Sequence, residues 1–147
     1  MGDFLGNRVL QATLFPWATA QILKVIIELI WHRKLNLRLL TSAGGMPSSH
    51  SAMVCGLATA IAIHDGAGSS AFALSIVLAM VVMYDAAGIR RWASIQARIL
   101  NQIIDELFQG HPISEVRLRE ILGHTPIQVA AGAALGIVMA WWWLARS

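Results

Sequence analysis

The sequence predicts an all-α integral membrane helix bundle, with about four transmembrane helices plus an interfacial amphipathic helix. Three observations predict it. The 147 residues are 56% hydrophobic and only 13% charged, with a mean hydropathy of +0.61, whereas a soluble domain carries about a quarter charged residues. Apolar residues gather into segments of helical length, and Lys and Arg collect in alternate loops. A chain this short predicts a single domain over residues 1–147, and it contains no internal repeat or low-complexity tract. The net charge of +3 comes from basic residues clustered in loops. That is a membrane-topology pattern, and no nucleic-acid partner is expected.

The apolar segments run over residues 9–31, 50–63, 69–87 and 126–144. Crossing ~30 Å of hydrocarbon takes about 20 helical residues. The first, third and fourth segments suffice. The second is short, so its start near Pro47 is expected below the headgroups, in a polar recess walled by other helices. Arg33, Lys34 and Arg38 follow the first segment, and Arg90, Arg91, Arg98, Arg117 and Arg119 follow the third. The loop over 64–69 has no Lys or Arg, and the ends carry only Arg8 and Arg146. The positive-inside rule then makes this a multi-pass protein of the cytoplasmic membrane, with both basic loops inside and both termini outside. Trp141, Trp142 and Trp143 read as an aromatic belt at the opposite interface.

Trp92, Ile95, Ile99, Ile103 and Leu107 recur at helical spacing beside a polar face of Arg91, Ser94, Arg98, Asn101 and Asp105. This predicts an amphipathic helix in the headgroup region, ended by Gly110 and Pro112 and followed by a short charged helix over 114–122. Cys55 lies alone in an apolar run and reads as a buried small hydrophobe. The N-terminus lacks the Ser or Thr a myristoylation signal needs at position 6. Ala18-Thr19-Ala20 resembles a signal-peptidase site, but the apolar stretch continues to Trp31, so an uncleaved first span is expected.

Two segments carry candidate chemistry. In Gly44-Gly-Met-Pro-Ser-Ser-His50, Pro47 suits the first turn of a helix. The N–H groups of Ser48, Ser49 and His50 would then lack intrahelical acceptors beside the positive end of the helix dipole, an arrangement that binds phosphate. His50 adds a group that exchanges a proton near neutral pH. In Gly123-His-Thr-Pro-Ile-Gln128, Thr125, Pro126 and Gln128 make a capping box. That structural role leaves His124 unexplained, held at the same membrane face as His50. Gln21, Lys24, Glu28 and His32 form one polar stripe on the first span. Lys24 either pairs with Glu28 or serves as an anion ligand with Glu28 beside it. Asp85 either pairs with Arg90 or Arg91 locally or aims one of them at the pocket. No second acidic residue stands at ligand spacing from it, so no metal is expected. His32, His64 and His111 have no supporting residues around them.

The segments 44–52, 85–91 and 123–132 resemble the divergent branch of the type 2 phosphatidic acid phosphatase superfamily, whose relatives include vanadium haloperoxidases. Pro47-Ser-Ser-His50 resembles its Pro-Ser-Gly-His segment, with Ser49 in place of Gly, and His124 to Gln128 resembles its His-x-x-x-Asp segment. The resemblance implies a covalent, metal-independent and cofactor-free mechanism. His124 attacks phosphorus and His50 protonates the departing alkoxide, while Lys24, Ser48, Ser49 and Arg90 or Arg91 hold the phosphoryl oxygens. Three features depart from the pattern. Lys24 leads to Arg33 and Lys34 without a Pro, a long insertion separates Arg91 from His124, and Gln128 replaces the Asp that would hold the nucleophile. Asp85 or Glu120 would have to supply that carboxylate in space; without it, turnover falls by several orders of magnitude.

The function expected is hydrolysis of a lipid phosphomonoester, phosphatidic acid or phosphatidylglycerophosphate, at a site facing the cytoplasm, with a homodimer completing the small bundle. The alternative is a non-catalytic membrane protein that binds anionic lipid headgroups through the same pocket.

Overall fold

The computed structural model describes residues 6–33, 35–41, 45–107 and 125–146. They form α1 (Arg8–His32), a short 3₁₀ turn (Leu37–Thr41), α2 (Ser49–His64), α3 (Ser70–Ala87), α4 (Ile89–Leu107) and α5 (Pro126–Arg146), with no strand among them. The bundle is all-α, as the sequence predicts. α1, α3 and α5 are long and apolar enough to cross a membrane, and α2 is a shorter apolar helix of 16 residues. At 1.5 Å per residue α2 reaches ~24 Å, less than the hydrocarbon thickness. The expected charged helix over 114–122, with His111, Arg117, Arg119 and Glu120, lies outside the described residues.

Local chemistry sets the helix starts. Asn7 caps α1 by accepting the Leu10 N–H at 3.0 Å, and Ser69 caps α3 by accepting the Phe72 N–H at 3.1 Å. α2 sits in the middle, against α1, α3 and α5. Its neighbours come close because the packed positions are small: Ala12, Ala20, Ala52, Ala58, Ala60, Ala79, Ala86 and Ala140 are buried, while Leu74, Met80, Val81, Ile127 and Val138 are exposed. A soluble protein reverses that order. Lipid is as apolar as leucine, so membrane helices associate by close backbone approach at small residues and leave large side chains facing the acyl chains.

Gly56 shows how tight this packing is. A Cβ there would lie 3.1 Å from the Pro16 ring and 3.3 Å from the Ala12 carbonyl oxygen. Pro16 has no N–H to return to that carbonyl, and α2 closes over the resulting notch in α1. At the far end, Phe15 packs against Trp143 at 4.8 Å and Trp142 at 6.1 Å between ring centroids. Arg146 lies over Trp142 at 4.5 Å. Trp141 and Trp142 are exposed, as an interfacial belt requires, but Trp143 locks α5 to α1. α4 touches α3 among the described helices and leaves its apolar stripe of Trp92, Ile95, Ile99, Ile103 and Leu107 exposed.

Candidate functional site

The N-terminus of α2 is built by Ser48. Its extended backbone makes it the N-cap, and its Oγ accepts the Ser51 N–H at 3.3 Å and the Ser51 hydroxyl at 3.0 Å. The helix therefore starts at Ser49, and Pro47 lies ahead of the cap instead of in the first turn. The Ser48 N–H donates to the Gln128 carbonyl oxygen at 3.0 Å. This corrects one expectation: the Ser48 amide ties two helices together and does not face an anion.

α5 begins with the capping box read from the sequence. The Thr125 N–H donates to Gln128 Oε1 at 3.0 Å, and the Gln128 N–H donates to Thr125 Oγ1 at 3.4 Å. The two motif segments meet because Gly132 has no side chain; a Cβ there would collide with the Ser48 carbonyl oxygen. One turn on, a Cβ at Gly136 would collide with the Ala52 carbonyl oxygen. Ser48, Ala52 and Gly56 thus face Gly132 and Gly136 as two small-residue stripes.

Lys24 comes to the same helix start from α1. It is 2% exposed, and its Nζ donates to Gln21 Oε1 at 2.8 Å and to Ser49 Oγ at 3.0 Å. Gly45, at φ +91°, lies over the aliphatic stem of Lys24. Glu28 goes elsewhere, with its carboxylate 3.2 Å from His32 Nδ1. The polar stripe of α1 therefore divides into a buried Gln21–Lys24 part and a more exposed Glu28–His32 part. A buried ammonium beside the positive end of α2 concentrates positive potential there, which an anion would neutralise.

His50, in the first turn of α2, lines a cavity of 260 Å³ with Val81, Val82, Asp85 and Ala86 of α3. His64 lies at the other end of the bundle, 2.8 Å from Asp65, beside a wide recess lined also by Asn7 and Arg8. Arg90 and Arg91 stand in the first turn of α4, adjoining Asp85; their side chains, like His124, lie outside what the structure describes. Among the described residues no three His, Cys, Asp or Glu side chains gather around one point where an ion could bind.

Three contributors escaped sequence reasoning: Gly45 over the Lys24 stem, Gly136 against Ala52, and Gln21 as a direct partner of the ammonium. The four-residue spacing of Ser48, Ala52 and Gly56, repeated in Gly132, Gly136 and Ala140, was the available signal for the close helix crossing. Gly45 had no comparable signal beyond its place in the motif.

Comparison with known proteins agrees with the fold. The uncharacterized membrane protein YuiD of Bacillus subtilis (strain 168) is 38% identical, over 93% of this chain and 94% of that protein. No solved structure matches. The model of the divergent PAP2 family matches residues 5–139, nearly the full length. The chain belongs to the divergent PAP2 family.

Proposed function

We propose that the protein is a lipid phosphate phosphatase working through a phosphohistidine, with phosphatidic acid or phosphatidylglycerophosphate as the substrate class. The observation that carries this reading is the buried Lys24 ammonium delivered to the α2 start, 3.0 Å from Ser49 Oγ. A charge within a membrane span costs several kcal/mol, and such residues mark functional sites. Here it adds to a helix N-terminus that favours a phosphoryl group. In this reading Lys24, Ser49, the first-turn amides of α2 and Arg90 or Arg91 hold the phosphoryl oxygens. His124 attacks phosphorus as the P–O bond to the lipid breaks, and His50 gives its proton to the departing alkoxide. Water then cleaves the phosphohistidine, returning a proton to His50 and releasing phosphate. Ser48 and Gln128 act as struts that bring the two histidine-bearing segments together.

The same reading puts the site at the cytoplasmic face of the inner membrane, supported by the basic residues Arg33, Lys34 and Arg38 that follow the first apolar segment in the sequence and Arg90, Arg91 and Arg98 that follow the third. It also includes a homodimer as the working unit.

One observation favours the alternative of non-catalytic binding to anionic lipid headgroups. Gln128 Oε1 accepts the Thr125 N–H, so the residue in the place of the superfamily's carboxylate serves the helix cap. Purified protein in detergent decides between them. Phosphate release from phosphatidic acid that is lost in His124→Ala and in His50→Ala supports hydrolysis. Equal lipid binding by all three proteins, without phosphate release from any, supports binding alone.

A further inference from the structure

Where α1 ends, the chain carries a second apolar surface that the proposed site does not use. Ile30 and Trp31 in the last turn of α1 are exposed, and so are Leu35, Leu37 and Leu40 beyond it. Leu35 and Leu37 keep 64% and 60% of their surface, while Leu39 is half-buried. Basic residues are interleaved with these leucines in Arg33-Lys-Leu-Asn-Leu-Arg38. No Asp or Glu lies between Glu28 and Asp65 in the sequence, and the Glu28 carboxylate sits 3.2 Å from His32 Nδ1. The segment is therefore apolar and of one charge sign.

Backbone geometry keeps it at the level of the α1 end. Arg33 takes the left-handed conformation at φ +51°, which terminates the helix and turns the chain. The 3₁₀ turn over Leu37–Thr41 then packs against α1, with the Leu39 N–H donating to the Asn36 carbonyl oxygen at 3.2 Å. α1 has 25 residues, so it reaches ~37 Å at 1.5 Å per residue and overshoots ~30 Å of hydrocarbon by about a turn. Its last turn carries Trp31, a residue type that favours the boundary between acyl chains and headgroups. A turn that follows so closely and packs on the same helix stays at that boundary.

Charge decides what covers the surface. Anionic phospholipids give the boundary a negative potential, and Lys or Arg just beyond a membrane span are drawn to it. Leucines set among those charges gain by entering the acyl region, as interfacial amphipathic segments do. A second copy of the chain would bring the same positive charge to the contact and be repelled.

We infer that the segment from Arg33 through the 3₁₀ turn is an interfacial lipid anchor. Its leucines enter the acyl boundary while its positive charges gather anionic phospholipid beside the α1 end. It holds whether or not the phosphatase reading does, since it needs only that α1 crosses the membrane.

The test uses the full chain in nanodiscs made of phosphatidylglycerol and phosphatidylcholine in equal parts. A nitroxide is attached at Leu37→Cys, at Leu40→Cys and, as a water-exposed reference, at Gly68→Cys, where a Cβ meets nothing within 4 Å. Cys55 is buried, and unsubstituted protein supplies the blank. Labels at 37 and 40 should relax more with oxygen, which dissolves among acyl chains, than with a water-soluble nickel chelate. The label at 68 should do the opposite. Lipid co-purified in mild detergent gives the charge readout. Phosphatidylglycerol should exceed its share of the nanodisc, and Arg33→Gln/Arg38→Gln should cut that excess by about threefold or more. High salt should cut it in the wild type as well. Nickel-dominated relaxation at 37 and 40, or an excess unchanged by the double substitution, overturns the inference. So does spin–spin broadening between labels at 37, which would put a second copy on the surface. A protein that meets every expectation yet releases phosphate from no lipid upholds the anchor and overturns the phosphatase reading.

Discussion

Lys24 and Ser49, 25 positions apart in the chain, share a hydrogen bond of 3.0 Å inside the bundle. The bond joins the second half of α1, a helix long and apolar enough to cross a membrane, to the first residue of the shorter α2. Neither residue needs such a partner for helix formation; what it produces is a fixed cation at the start of α2.

Lys24→Met tests that cation. Methionine keeps most of the stem that packs against Gly45, and removes the donor to Gln21 and Ser49. Affinity for phosphatidic acid in mixed micelles should fall by about tenfold to a hundredfold, the equivalent of one charge-assisted hydrogen bond. The chain should still extract as a folded protein, because a buried charge is removed along with its bonds.

The close approach of Ser48 to α5 depends on a missing side chain at Gly132. Gly132→Ala drives a Cβ into the Ser48 carbonyl oxygen, and Gly136→Ala drives one into that of Ala52. Each should cost about 1–3 kcal/mol, read as a lower thermal midpoint in detergent. Gly68→Ala, where a Cβ meets nothing within 4 Å, should leave the midpoint almost unchanged.

The capping box of α5 gives a prediction of each sign. Thr125→Ala loses the acceptor for the Gln128 N–H and should cost about 1 kcal/mol. Gln128→Glu keeps an oxygen for the Thr125 N–H and adds a negative charge at the helix start, which should stabilise by about 0.3–1 kcal/mol. Under the phosphatase reading the same change should also speed turnover, and a rate assay beside the melt separates the two effects.

α4 predicts a difference between substrates. Its exposed Ile99 and Ile103 belong to a stripe that suits the headgroup boundary. Ile99→Ser with Ile103→Ser should slow turnover of a long-chain lipid phosphate several-fold. Turnover of a soluble aryl phosphate should stay within about twofold, since that substrate does not arrive through the bilayer surface.

Much of the fold was legible because its signals are local. Apolar length marked α1, α3 and α5, the shortness of α2 was visible, and Thr125 with Gln128 announced a cap that the structure reproduces. The end at which Ser48 and Gln128 meet followed from alternating loop charge. What the sequence withheld are contacts between distant segments. Whether Lys24 would turn to Glu28 or away from it depended on where Ser49 arrives, and that is set by small-residue packing of three helices. Nothing local reveals that Asp85 and Ala86, at the end of α3, line the same cavity as His50. Pro47 suggested a helix start two residues early, because the Ser48 hydroxyl makes a better cap.

The inverted distribution of side-chain size also bears on how this chain tolerates change. In a water-soluble protein, trimming an interior residue leaves a void and does most of the harm. Here the interior positions at Gly56, Gly132, Gly136 and Ala52 have little left to trim, and added bulk is what separates the helices. Outward positions such as Leu74, Val81 and Val138 can drift among oily residues of any shape. A saturation scan should look like the photographic negative of a globular enzyme, with its intolerant sites at the smallest residues and its permissive ones at the largest.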